Sequence, residues 1–144
     1  SQPKFDEEEL KLFNHKFVRQ MPYALVKDRI DADEAFWNAV RGNLATVSEV
    51  KLWEDICYHQ LEPVMEDAAL TAMAADELPP EPWTEETYTQ WMNAVKQKTD
   101  KKGKELFHPI RKALTAQDNG PELKLLLPLI GRERVYQRLK GHKA

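Results

Sequence analysis

Two kinds of side chain could give this chain chemistry: groups that move protons or hold metals, and groups that grip anions. The first kind is poorly arranged. Histidines stand at 15, 59, 108 and 142, and the single thiol, Cys57, lies two residues before His59. On a helix those two side chains diverge, and a pair falls short of the four ligands of a structural zinc site. The carboxylates of Glu7 to Glu9 and of Asp33-Glu34 fall where helix starts are expected, and attraction to the helix macrodipole accounts for them. No nucleophile elbow, Walker loop or dinucleotide fingerprint occurs, and Gly131 alone makes no phosphate cradle. Catalytic residues, metals and cofactors are therefore not expected in this chain, which alone should not catalyse.

Cations are another matter. From Lys96 to Ala144 there are 13 Lys/Arg against 5 Asp/Glu, net +8, while residues 1 to 95 carry 8 against 19, net -11. The overall charge of -3 hides this polarity. An anionic partner would feel the field of the last third. Lys101, Lys102, Lys104, Arg132, Arg134 and Arg138 are candidates for phosphate contacts, weak singly and useful together. The competing reading is a solvated helix surface, since protein surfaces readily carry charge. The acidic remainder argues against indiscriminate polyanion binding, because it would repel a phosphate backbone laid across it.

The elements that must carry these residues are helices. Asp6-x-x-Glu9 is a capping-box pattern that predicts a helix from about Asp6 to Arg19. Pro22 suits a first helical turn ahead of Tyr23, Val26 and Ile30. Asp31 or Asp33 should cap a helix with Phe36, Trp37 and Val40 that Gly42-Asn43 closes, and Thr46-x-x-Glu49 should cap a longer one through Val50, Trp53, Ile56 and Cys57. An apolar piece follows from about Val64 to Ala75. Leu78-Pro79-Pro80-Glu81-Pro82 cannot be helical and marks a boundary. Beyond it, Thr84 should cap a helix with Tyr88, Trp91, Met92 and Val95 inward. Gly103 is the hinge to a helix with Leu106, Phe107, Ile110 and Leu114, in which Pro109 lies near the start or makes a kink. Pro121 fits the first position of the next helix, and Gly131 separates that one from a last helix through Val135, Tyr136 and Leu139. Trp37, Trp53, Trp91 and Phe107 all fall at helical spacing from other apolar groups, which reads as core rather than base stacking.

No period-2 strand pattern, internal repeat or low-complexity tract appears. The expected fold is all-α: a first helical lobe over 1–77, a Pro-rich linker at 78–83 and a basic helical lobe over 84–144. With 144 residues, 42% hydrophobic and 31% charged, the chain can bury a real core and reads as globular and soluble. No apolar run approaches the roughly 20 residues of a membrane span, and the opening SQPKFDEEEL has no apolar stretch of an export signal. One cysteine excludes a disulfide framework and fits a reducing cytoplasm. A start without methionine is read as a cut or processed end.

Three ordered segments are more specific than any of this. Gly103 to Thr115 reads Gly-Lys-Glu-Leu-Phe-His-Pro-Ile-Arg-Lys-Ala-Leu-Thr, Gly120 to Leu123 reads Gly-Pro-Glu-Leu, and Leu126 to Arg134 reads Leu-Leu-Pro-Leu-Ile-Gly-Arg-Glu-Arg. Together they resemble the C-terminal anticodon-binding domain of a bacterial glutamyl-tRNA synthetase, a class I aminoacyl-tRNA synthetase. Phe5-Asp6-Glu7-Glu8-Glu9-Leu10 with Asn14, and the stretch from Phe36 to Leu44, extend the likeness more weakly.

The resemblance implies two helical lobes forming an anticodon-binding cage. It implies a parent enzyme that ligates glutamate to tRNA with ATP and magnesium in a domain carrying His-Ile-Gly-His-like and Lys-Met-Ser-Lys-Ser-like motifs, neither of which occurs here. The expected partner is tRNA(Glu), with tRNA(Gln) also open, bound by a cytoplasmic monomer away from membranes.

The resemblance also points to site residues. Arg111 lies in the first segment, where its rigid fork can bond a base edge or a phosphate bidentately; the alternative is an ordinary helix arginine. Gly120, Pro121 and Leu123 belong to the turn that in the family meets the first two anticodon bases, where free backbone N–H groups at a helix start face outward. Turn punctuation is the competing reading for Gly120 and Pro121, and core for Leu123. Arg41 falls where the family presents an arginine to the third base, though a solvated helix-end arginine is as good a reading. His108 replaces a methionine often found before the family's proline. Against this stands a reading from another class, a free-standing helical interaction module that turns its basic lobe toward an acidic protein. A class I lysyl-tRNA synthetase cage fits the Gly-Pro-Glu-Leu segment less well.

Overall fold

The computed structural model describes residues 21–27, 33–44 and 49–144. Every regular element among them is helical, as expected, and no strand occurs among the described residues. The helix expected from Asp6 to Arg19, together with Ile30, Asp31 and Thr46, lies outside the described residues. The chain divides into two compact units at the Asp55–Ile56 junction.

In the first unit, α1 (Tyr23–Val26) follows Pro22, and α2 (Glu34–Val40) runs into a 3-10 turn at Arg41–Asn43. Asp33 caps α2 by accepting the Phe36 amide at 3.0 Å. Phe36, Trp37 and Val40 are fully buried with Val26. The Trp37 indole donates to the Met21 carbonyl at 2.6 Å, so its polar atom is satisfied where the ring is buried. α3 (Val50–Tyr58) begins in this unit and ends in the second.

The second unit holds α4 (Ala68–Asp76), α5 (Thr87–Lys96), α6 (Lys104–Thr115), α7 (Leu123–Ile130) and α8 (Arg132–Leu139). α8 packs on α4, α6 and α7, while α5 packs on α7 and α4. Leu106, Ile110, Ala113 and Leu114 of α6, Leu126 and Leu127 of α7, and Val135 and Leu139 of α8 are fully buried, alongside Trp91 of α5. The Trp91 indole reaches the Ala74 carbonyl at 2.7 Å and pins α5 to the end of α4.

The expected boundary at 78–83 lies inside this unit. The Pro79 carbonyl accepts both the Trp83 indole at 3.0 Å and the Arg132 Nε at 3.1 Å. Residues just after α3 are tied in as well, since Leu61 and Ala144 exchange backbone hydrogen bonds of 2.7 and 3.1 Å. Proline breaks the helix here, but the broken stretch is packed rather than free. The Glu81–Pro82 peptide bond is cis.

Smaller differences have local causes. α5 begins at Thr87, not Thr84; the Thr84 hydroxyl accepts the Glu86 amide while the Thr87 hydroxyl accepts the Thr84 amide, so Thr84 builds the turn before the helix. Pro121 stands ahead of α7, whose N-cap is Glu122. Pro109 lies within α6, where it removes one intrahelical amide donor without ending the helix. Asp67 caps α4 through the Leu70 amide at 3.1 Å, a cap that was not expected.

Candidate nucleic-acid interface

α6 projects its functional side chains from neighbouring faces. Phe107 and Arg111 are four residues apart and share one face, while His108 and Lys112 share the next. After Thr115 the chain turns sharply, with Ala116 in the left-handed region at φ 60. Thr115 locks that exit: its hydroxyl donates to the Arg111 carbonyl at 2.9 Å and accepts the Gln117 amide at 3.1 Å. The turn that follows carries Gly120 and the buried Pro121 into α7.

This turn is held to α6 from two sides. Arg111 Nη2 donates to the Pro121 carbonyl at 2.9 Å. Asp118 accepts from His108 Nε2 at 2.9 Å and from Lys112 Nζ at 3.2 Å. Lys112 and then His108 hold the Asp118 carboxyl below the usual carboxylate range. His108 Nδ1 faces Glu66 Oε1 at 2.7 Å, so only the imidazolium form donates to both carboxylates.

Between α5, α6 and the start of α7 opens a cleft of about 290 Å³ lined by Tyr88, Phe107, Arg111, Glu122, Leu123 and Lys124. Two aromatic rings and Leu123 give it apolar walls. Arg111 Nη1 is buried without a hydrogen-bond partner, and burial lowers the Arg111 pKa. An orphaned guanidinium donor is costly unless a ligand supplies an acceptor. Burial likewise raises the Tyr88 pKa, so its phenol stays a neutral donor and acceptor at physiological pH. Lys96 Nζ lies 5.5 Å from the centre of the Phe107 ring.

The structure thus gathers Arg111, Pro121 and Leu123 of the sequence candidates into one place, with Gly120 in the adjoining turn. Leu123 is also core, 5% exposed. Tyr88, Glu122 and Lys124 were not foreseen as lining, and Phe107, expected in the core, is a cleft wall instead. Trp37, Trp53 and Trp91 are buried as expected. The i, i+4 pairing of Phe107 with Arg111 was the available signal; Tyr88 on another helix gave none.

The phosphate candidates divide. Lys101, Lys102 and Lys104 are exposed, but Lys101 Nζ is paired with Asp67 Oδ2. Arg132 Nε bonds the Pro79 carbonyl, and Arg134 Nη1 bonds the Cys57 carbonyl at 3.2 Å, so each has part of its fork engaged internally. Arg138 does not belong with them. It is fully buried, and its Nε, Nη1 and Nη2 donate to the carbonyls of Ala144, Leu114 and His59 at 2.9, 2.8 and 3.1 Å. Burial and the nearby Arg134 bring its pKa down to about 10. Its guanidinium joins three segments of the unit through their carbonyls, and a fully buried side chain is not placed to meet a phosphate.

Arg41 belongs to the first unit. It is half-buried and its Nη1 donates to the Met21 carbonyl at 3.0 Å, beside the Trp37 indole. No group of three or more His, Cys, Asp or Glu side chains suited to a metal occurs among the described residues. No helix among them is long and apolar enough to cross a membrane.

Residues 4–142 match the model of the family described as the anticodon binding domain. A protein of Gluconacetobacter diazotrophicus named glutamate–tRNA ligase 2 is 42% identical over 97% of this chain and 32% of its own length. The glutamate–tRNA ligase 2 of Methylobacterium sp. (strain 4-46) is 46% identical over 98% of this chain and 33% of its own length. The chain therefore spans about a third of the length of these relatives. A crystal structure of a glutamate tRNA ligase from Elizabethkingia meningosepticum superposes with a TM-score of 0.67 over 96% of this chain and 32% of that one; at 15% identity this speaks for the fold. Sequence match and helical architecture agree, and the chain belongs to the anticodon-binding domain family.

Proposed function

We propose that this chain is the RNA-recognition portion of a glutamate–tRNA ligase and grips the anticodon loop of tRNA(Glu). The observation that carries the reading is the Arg111 guanidinium: one nitrogen is fixed to the Pro121 carbonyl and the other is buried, without a partner, in a residue that lines an aromatic-walled cleft. Single-stranded loops offer unstacked planar bases with acceptor edges, which such a cleft would accommodate. Lys102 and Lys104, exposed and without an ion pair among the described residues, would meet the sugar-phosphate backbone. Phosphate contacts would give affinity and orientation, and the cleft would give selectivity. Ligation of glutamate, with its ATP and magnesium, would be the work of other parts of the longer protein. Arg41 would serve at the third anticodon base, and tRNA(Gln) is the natural competitor.

The test is a competition titration of the pure chain with the anticodon stem-loop of tRNA(Glu) against an unrelated stem-loop of equal length and salt. Preference for the first supports the reading. Equal binding of both, or none of either, overturns it and leaves the basic unit as a docking surface for an acidic protein.

A further inference from the structure

The cleft beside Arg111 has a second polar wall. Glu122 is the N-cap residue of α7 and lines the cleft, but it makes no side-chain cap hydrogen bond. Among the described residues its carboxylate pairs with Lys124, at 3.3 Å, and both side chains are about half exposed or more, at 68% and 47%. An exposed pair of this kind is weak, so the carboxylate can turn to a ligand at little cost. A carboxylate facing a site for a polyanion is unfavourable unless it does something specific.

We infer that Glu122 is a specificity-determining residue: with Arg111 it selects a nucleobase that presents an exocyclic amine beside a ring acceptor, and disfavours uracil. This rests on the reading of the cleft as a base site. Arg111 Nη1 is a donor without a partner and needs an acceptor. Ionised Glu122 is an acceptor only and needs a donor. Cytosine answers both, with its N3 acceptor and the neighbouring N4 amine; a carboxylate accepting from that amine is an established pairing in base recognition. Uracil carries an oxygen where cytosine carries the amine, and that oxygen would face the carboxylate lone pairs. Tyr88, Phe107 and Leu123 hold the ring plane but cannot tell one pyrimidine from the other, because stacking is tolerant of sequence. Lys124, beside Glu122 on the rim, partly offsets the repulsion that its carboxylate exerts on the backbone.

The experiment uses the whole chain and a panel of anticodon stem-loops in which each loop pyrimidine is exchanged, one at a time, between cytosine and uracil. The parent chain should prefer cytosine at one loop position. Glu122→Gln, whose amide both donates and accepts, should shrink that preference by about tenfold while leaving ratios at the other positions alone. Removing a negative charge will also tighten every RNA slightly, so the cytosine-to-uracil ratio is the readout. Glu105→Gln, an exposed charge removed from the first turn of α6, is the control and should leave all ratios unchanged. If the parent chain binds and Arg111→Ala weakens it, but Glu122→Gln leaves every ratio intact, the inference fails and the base-site reading stands. If the parent chain binds no stem-loop, both fail.

Discussion

Arg111 and Pro121 are joined by a 2.9 Å hydrogen bond from Nη2 to the carbonyl, and this single contact orients the guanidinium whose other terminal nitrogen is left without a partner. The residue is a strut, and in the proposed function it is also a reader. Replacing it with alanine should cost roughly 1–3 kcal/mol in binding to the cognate stem-loop, with the helical fold retained by circular dichroism. Lysine should not restore binding, because its single ammonium cannot hold Pro121 and present a second donor together. Full rescue by lysine would show that only charge matters at this position.

Arg138 gives the opposite expectation. Its buried guanidinium ties together the carbonyls of His59, Leu114 and Ala144, and Arg138→Ala should lower unfolding free energy by roughly 2–5 kcal/mol in urea titration. Lys102→Ala should leave stability within about 0.5 kcal/mol, as an exposed substitution does. A stable Arg138→Ala that bound RNA more weakly would return this residue to the phosphate contacts.

How much of this could be read from the sequence depends on distance along the chain. The capping role of Asp33, the closure of α2 near Gly42 and the separation of α7 from α8 at Gly131 are local signals, and each appears where expected. Arg138 misled because its partners lie at 59, 114 and 144, and a surface-like charge is indistinguishable in sequence from a buried one. Leu78 to Pro82 misled for a related reason: proline forbids helix but says nothing about packing, and here the Pro79 carbonyl is the acceptor for two side chains. The cleft needed Tyr88 and Phe107 from two helices, so composition supplied the aromatic rings without showing which pair would stay out of the core.

Cys57 should be chemically silent in the native state. It is fully buried, and burial outweighs Arg138 and Arg134 to push its thiol up to about 12. Thiol-reactive dye at neutral pH should label it slowly, and rapidly once urea unfolds the chain. Because the folded pKa is raised, the contribution of the neutral thiol to stability is complete below the unfolded value of 9.0 and falls as pH rises toward 12. Equal labelling rates with and without urea would contradict this burial.

Asp118 has the reverse sign. Its pKa is lowered by Lys112 and His108, so its contribution is present above the unfolded value of 3.8 and is lost as pH falls through the folded one. On acidification the turn from Ala116 to Glu122 should loosen before the core does. Amide hydrogen exchange in that turn should quicken relative to Leu126 and Leu127, and Asp118→Asn should reproduce the change at neutral pH. Uniform exchange across both regions would mean that Arg111 and Thr115 hold the turn without Asp118.

Asp67 makes the last and most direct test of where RNA phosphates run. One of its carboxylate oxygens caps α4 at the Leu70 amide, and the other is paired with Lys101. The side-chain bond from Lys101 is the main cause of its lowered pKa. Asp67→Asn keeps the cap through the remaining carbonyl oxygen while releasing Lys101, since asparagine is also a good N-cap. If the backbone passes over 101–104, the variant should bind every RNA more tightly, and its plot of affinity against salt should steepen by about 1 as the freed ammonium neutralises one more phosphate. Lys101→Ala in the parent chain should do little, because that cation is already engaged, whereas Lys102→Ala or Lys104→Ala should weaken all RNAs alike. An Asp67→Asn variant with unchanged affinity and salt slope would place the RNA backbone away from this end of α6.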